Sequence, residues 1–267
     1  MELKLLCVGD VVGSPGRRAL EHGLAPLVAD RGIDCVIVNA ENSAAGSGLT
    51  ADLYEKIVSY GADLITLGDH IYRRREIIPV LEQSDRMVRP ANLPTGAPGH
   101  QYAICHTRVG HDVAVVSIMG RLFMKPLYDC PFAAVDRVLA RIDKSVRIVV
   151  VDVHAEATSE KIAMGWHLDG RVSVLFGTHT HVATADERVL PRGTAYITDV
   201  GMTGPYDSVL GRDKQRVLGC MISGVPISLD VATDDVRLCG IIVTVDTATG
   251  KARSIERVCV KNLDACQ

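Results

Sequence analysis

No run of about 18 apolar residues occurs in the chain, so the sequence offers no membrane-spanning helix. A charged leader ahead of a long apolar stretch is also missing, because the first residues run straight into the apolar segment 3–8. Charge of one sign is lacking too. The 29 basic and 32 acidic residues leave a formal net charge of -3, which gives no electrostatic footprint for duplex DNA or an anionic membrane. Among the eight cysteines (7, 35, 105, 130, 220, 239, 259 and 266) no Cys-x-x-Cys pair occurs. Cys7 and Cys35 lie inside apolar runs, so buried free thiols in a reducing, cytoplasmic compartment are expected. Internal repeats and Pro/Gly/Ser linkers are absent, and residues 1–267 are expected to form a single domain. Gly13-Ser14-Pro15-Gly16 has neither the G-x-G-x-x-G spacing nor a following Gly-Lys-Ser/Thr. It is therefore neither a dinucleotide fingerprint nor a P-loop, and its glycines are expected to form a tight turn.

What the chain does have is alternation. The apolar runs 3–8, 35–39 and 64–67 read as strands. Between and after them, 16–30, a segment capped by Thr50 and reaching 60, and 73–83 read as helices, with Pro79 expected to kink or split the last. Residues 102–107 and 113–118 flank Val109-Gly110-His111-Asp112 and read as a hairpin. A helix over 132–143, a strongly β-branched strand over 147–153 and a helix capped by Thr158 or Ser159 and ending near Gly165 follow. Strands are expected at 172–176, 195–198, 236–245 and 253–260, the last two joined by a turn at 246–251. Such alternation predicts βαβ units with a parallel sheet, an α/β fold.

Chemistry-bearing residues stand where those strands end. Asp10 follows the first, Glu41 and Asn42 the second, and Asp69 and His70 the third. His154 follows the 147–153 strand, and His179 and His181 follow the 172–176 strand. Ligands of open α/β sheets bind at that edge. Each residue alone has a plain alternative: Asp10 as a turn residue or helix cap, Glu41-Asn42 as a polar loop, His154 as a structural histidine. His179-x-His181 is more specific, since alternation puts both rings on one side of an extended segment. Together the tips would gather three carboxylates, an amide and up to four imidazoles, and two cations would offset the cost of burying them. Oxygen and imidazole donors without thiolate suit manganese, iron or zinc. Two metals about 3.5–4 Å apart clamp the attacking and leaving oxygens of an in-line phosphoryl displacement, with Glu41 suited to bridge them. His22, His100, His106, His111 and His167 lack this setting and read as surface or structural, and Arg73-Arg74-Arg75 reads as a solvated face.

The stretches GDVVGSPGRR (9–18), NAENSAAGSGLT (39–50), LITLGDH (64–70), VDVHAEATSEK (151–161) and 177–211 resemble the calcineurin-like metallophosphoesterases. More narrowly they are similar to the bacterial branch of 2′,3′-cyclic-nucleotide phosphodiesterases, as is GRLFMKPLYDCPF (120–132). The resemblance implies a four-layer αββα sandwich and a site with two divalent or trivalent metal ions, iron or manganese, zinc also fitting. By position, Asp10, Glu41, Asn42 and His181 would serve one metal, with Glu41 bridging, and Asp69, His154 and His179 the other. His70 would stand outside the ligands, near the phosphate, as the catalytic histidine. The expected reaction is attack on phosphorus by a hydroxide held between the ions, on a small phosphodiester or nucleotide; a homo-oligomer is left open.

This chain departs from the pattern in three places. Val12 stands where the wider superfamily has the histidine of Asp-x-His; the narrower branch lacks that histidine too, and Asn42 stands in for it. Asp69 stands where the branch has asparagine, and Tyr72 and Arg73 replace a Trp and an Asp after His70. With Asp69, three carboxylates oppose +4 from two divalent ions and leave +1, one unit less than with an amide. Tighter metal binding but weaker attraction for phosphate follows. That extra charge favours the alternative reading, a regulatory nucleotide- or phosphate-binding protein with slow turnover.

Overall fold

The computed structural model describes residues 1–126, 128–261 and 263. Leu127 of the 120–132 stretch and Cys266 lie outside the described residues. In chain order the first part holds β1 (Glu2–Val8), β2 (Asp10–Val11), α1 (Gly13–Arg31), β3 (Cys35–Asn39), α2 (Ala51–Ser59), β4 (Leu64–Thr66), α3 (Ile78–Gln83) and β5 (Met87–Val88). The centre holds β6 (Tyr102–His106), β7 (Asp112–Met119), α4 (Pro131–Leu139), β8 (Ile148–His154), α5 (Thr158–Leu168) and β9 (Val174–Thr178). The last part holds β10 (Arg188–Val189), β11 (Ala195–Ile197), β12 (Met202–Pro205), α6 (Lys214–Ser223), β13 (Val236–Asp246) and β14 (Ala252–Val260).

Two sheets form. One runs β2-β12-β13-β1-β3-β4-β5, with β14 also paired to β13; the other runs β10-β11-β9-β8-β7-β6. Strand alternation sorts their side chains into three apolar layers. Leu6, Val8, Val36, Val38 and Ile65 face Leu20, Leu24 and Ile57 of α1 and α2. Leu5, Cys7, Ile37 and Leu64 face Val115, Val150, Val174 and Phe176 of the second sheet. Val149, Val151 and Leu175 face Val135 and Val138 of α4 and Met164 and Leu168 of α5. Helix, sheet, sheet, helix is the expected four-layer αββα sandwich.

β1, β3 and β4 pair in parallel, as do β7, β8 and β9. Their carboxyl ends therefore share one edge in each sheet. Toward that edge the inner layer turns polar: Asn39, Thr66, Ser117, Asp152 and Thr178 are all buried. Ser117 Oγ donates to the Leu67 carbonyl at 2.8 Å. Asn39 Nδ2 and Thr66 Oγ1 donate to Asp152 Oδ2 at 3.0 and 2.5 Å. The two sheets are thus joined by hydrogen bonds directly below the strand tips.

Several boundaries differ from the sequence expectation. α1 begins at Gly13 rather than 16, since Pro15 falls in the first turn, where its missing N–H is not needed. The segment 73–83 is split: a 3₁₀ turn (Arg75–Ile77) precedes α3, and Pro79 lies in the first turn of α3. Thr50 caps α2 as expected, accepting from Leu53 N. Neither Thr158 nor Ser159 caps α5, whose N-cap is Ala157 and which runs to Leu168. Gly165 does not end it, because a Cβ there would lie 2.7 Å from the Tyr196 ring, so glycine serves close helix–sheet packing. α4 ends at Leu139, short of 143, and β9 begins and ends two residues late. Sequence reading misses α6, of which only Val217 is buried, and the short strands β2, β5, β10 and β12, each of two to four residues. Burial of thiols holds for Cys7, Cys35 and Cys239, while Cys130 and Cys259 are exposed.

Phe176 is fully buried between the sheets. Phe176→Ala is expected to lower stability by about 3–5 kcal/mol, read as a shifted urea midpoint; a change within about 1 kcal/mol would mean that layer packs loosely.

Candidate metal centre

All eight residues singled out at strand ends meet at one place. Asp10, Glu41, Asn42 and His154 are buried; Asp69, His70, His179 and His181 are partly open. Glu41, Asp69, His154 and His179 each turn one donor atom inward, all within 4.8 Å of one another, the group of metal-ligating type found among the described residues. His154 Nε2 lies 3.1 Å from Glu41 Oε1, 3.0 Å from Asp69 Oδ1 and 3.0 Å from His179 Nδ1. Asp10, Asn42 and His181 stand beside this group. Asn42 Nδ2 is 3.4 Å from Asp10 Oδ1 and 3.1 Å from His181 Nε2, and His181 Nε2 is 3.8 Å from Asp10 Oδ1. His70 lies at the margin, its Nδ1 2.7 Å from Asn42 Oδ1 and its Nε2 3.6 Å from Asp69 Oδ2.

His154 and His181 each have one nitrogen hydrogen-bonded to the fold, which sets the tautomer of the neutral ring. Thr178 Oγ1 gives its proton to Asp152 Oδ1 at 2.6 Å, so it can only accept from His154 Nδ1–H at 2.9 Å. In the neutral ring His154 Nε2 then carries a lone pair aimed at the carboxylates, the place a proton takes when no cation is present. His181 Nδ1–H donates to the Leu210 carbonyl at 3.0 Å, which frees Nε2 toward Asp10. His179 Nε2 lies 3.3 Å from Glu156 Oε2, and its Nδ1 faces Asp69 and His154. Three imidazoles and three carboxylates thus converge, the donor set a cation of borderline hardness takes. Gly68 makes room for this: a Cβ there would stand 2.2 Å from His154 Cδ2 and 2.4 Å from Glu41 Oε2.

The electrostatics express the same demand for positive charge. Burial opposes ionisation of Glu41, but the charge of His154 outweighs it and holds the carboxyl below its ordinary range. Burial likewise opposes ionisation of Asp69, and hydrogen bonds from His154 and His179 hold it well below. For His154, burial disfavours the cation, yet Glu41 and Asp69 push its proton affinity well above the ordinary value. A metal ion among these groups would meet that demand without the imidazole proton. Asn42 is turned with its NH₂ toward Asp10 and Glu41; ligation through its carbonyl oxygen requires the amide to turn over, which a cation between the carboxylates favours.

A cleft of about 300 Å³ opens onto the group, walled by Val12, Gly46, Glu156, Leu210 and Arg212. Arg212 donates to the carbonyls of Ala45, Gly46 and Leu229 at 3.1, 2.6 and 3.1 Å, so its charge is fixed at the rim. Sequence reading missed Asp152 and Thr178. Both have the parity of the inner strand face, two residues before and one residue before a histidine, and that parity is the signal that finds them. Burial pushes the Asp152 carboxyl up to about 6, against its three hydrogen-bond donors and His154.

Thr178→Val keeps the shape but removes the acceptor for His154 Nδ1–H. Metal affinity is expected to fall about 10–100-fold, measured by chelator competition; wild-type affinity in the folded variant would show that the hydroxyl does not orient the ring.

Comparison with known proteins agrees with this geometry. Residues 6–258 match the family model described as YmdB-like protein. A 2′,3′-cyclic-nucleotide 2′-phosphodiesterase of Bacillus subtilis (strain 168) is 43% identical over 260 residues, covering 97% of this chain and 98% of that one. The crystal structure of a hypothetical protein from Thermus thermophilus superposes with a TM-score of 0.90 at 40% identity, covering 97% of this chain and 100% of that one. A novel phosphatase from Mycoplasma pneumoniae superposes with a TM-score of 0.91 at 33% identity, over 98% of this chain and 94% of that one. With its fold, its strand-tip residues and its sequence all in accord, the chain belongs to the YmdB-like family of calcineurin-like phosphoesterases.

Proposed function

We propose that this protein hydrolyses phosphodiesters, 2′,3′-cyclic nucleotides first among them, at a site holding two metal ions, iron or manganese, with zinc suited to the same donors. The carrying observation is the convergence of Asp10, Glu41, Asp69, His154, His179 and His181 at one point, with Asn42 hydrogen-bonded among them. The Bacillus relative, alike over nearly its whole length, supports the substrate class. The ions when bound supply Lewis acidity and an activated water.

The chain's own residues do the rest. Glu41, central and buried, lies between the Asp69–His154–His179 side and the Asp10–Asn42–His181 side and is placed to serve both. His70 carries the proton chemistry. Its Nδ1 lies 2.7 Å from Asn42 Oδ1, and once Asn42 turns its carbonyl toward a metal its NH₂ donates to Nδ1 instead, so the neutral ring carries its proton on Nε2, toward the cleft. In that form it holds a phosphoryl oxygen or protonates the leaving oxygen at the cleft mouth. Arg212, fixed at the rim, adds a permanent positive charge that favours an anionic substrate. Asp69 opposes that attraction and favours the second reading, a nucleotide- or phosphate-binding protein of slow turnover. We also propose that the chain works as one domain in the cytoplasm; the shared inter-sheet core supports the first point.

Purified protein with added manganese is expected to hydrolyse 2′,3′-cyclic AMP and bis-p-nitrophenyl phosphate; a bound nucleotide without turnover would favour the second reading. Glu41→Ala is expected to lose at least one metal by elemental analysis. His70→Ala should lose about 10²–10⁴-fold in turnover with metal content kept, and loss of metal there would instead make His70 a ligand. Asp69→Asn, which restores one unit of positive charge, is expected to raise turnover or shift metal preference; identical rates and metal content would remove charge at position 69 as a determinant.

A further inference from the structure

We infer that the buried ion pair between Lys161 and Asp199 is a positioning device for residues 177–181, the end of β9 and the loop after it, holding His179 and His181 in place as metal ligands; this rests on the two-metal reading above. Both histidines have left-handed backbone, φ +94° and +64°, a region unfavourable for residues that carry a Cβ. Such conformations persist only where the surroundings over-determine them.

The surroundings here are two side chains with at most 1% exposure. Asp199, just after β11, accepts from Thr180, the residue between the two histidines: Oγ1–H at 2.7 Å and N–H at 3.2 Å, both to Oδ2. Its Oδ1 accepts from Gly201 N at 2.8 Å. Lys161 reaches the loop from α5. Its Nζ donates to Asp199 Oδ2 at 2.7 Å and to the carbonyl of Thr178, immediately before His179, at 2.7 Å. The loop is thereby tied at Thr178 and at Thr180, on either side of His179. A further hold is the His179 N–H, which donates to Asp10 Oδ2 at 3.1 Å.

Neither Lys161 nor Asp199 lines the cleft, and both side chains are buried. Nor does core stability account for them, since a buried ion pair is often matched or bettered by apolar residues of the same volume. What apolar residues could not supply is the set of directed bonds to Thr178 and Thr180. One strained loop delivers a ligand to each expected metal position, and the Lys161 ammonium with its Asp199 anchor sets where those ligands stand.

The test uses Asp199→Asn, Lys161→Met, Thr180→Val and Thr180→Ser in the full chain. Manganese(II) affinity is read by chelator competition, ligand geometry by the visible spectrum of the cobalt(II) protein, and folding by the melting temperature of the metal-free form. The first three variants are expected to bind manganese about 10–100-fold more weakly with an altered cobalt spectrum, while Thr180→Ser stays at wild type. Wild-type affinity and spectrum in the folded variants, whatever their melting temperatures, would overturn the inference and leave the pair a structural element. If the two ion-pair variants fail to fold, Thr180→Val, which leaves the pair intact, decides. A wild-type protein that takes up neither metal would overturn the two-metal reading and this inference with it.

Discussion

Three carboxylates gathered inside a protein with three imidazoles repel one another, lose water from their polar atoms, and would drift apart unless the scaffold forbade it. That constraint shapes the whole edge of the molecule. Gly68 has no side chain because His154 and Glu41 occupy the space one would need. Thr178 and Leu210 accept from the outer nitrogens of His154 and His181, so those two rings turn the other nitrogen inward. The scaffold holds the groups in an arrangement they would not adopt for their own sake, and the cost is offset only by positive charge placed among them.

The part of this that could be read from sequence is the part governed by short periods. Apolar runs ending in Asp10, Glu41, Asp69, His154 and His179 announced both the strands and the edge where they finish, because a parallel sheet brings all such ends to one side. The hairpin around Gly110 and the cap at Thr50 were legible for the same reason: their chemistry is local. Gly165 misled because a glycine in a helix reads as a stop, and only the Tyr196 ring, well beyond it in the chain, reveals it as a packing surface.

What stayed hidden is non-local. Asp152 sits in a run of valines and looks like one more strand residue until Asn39 and Thr66 from the other sheet are seen to donate to it. Lys161 and Asp199 are 38 residues apart and meet only when α5 has packed on β9 and β11. Polar residues buried by the fold, rather than displayed at its tips, leave little trace in a single sequence, since nothing local distinguishes a lysine that will be covered from one that will not.

The ligand groups are drawn from both halves of the sandwich. Asp10, Glu41 and Asp69 come from the sheet of β1, β3 and β4, and His154 and His179 from the sheet of β8 and β9. Ions seated among them would act as a rivet through the two sheets. Occupancy then adds to the free energy of keeping the halves together in proportion to the logarithm of ion concentration over the dissociation constant. Starving the protein of metal would therefore do more than silence it: the same shortage would weaken the seam along which it opens.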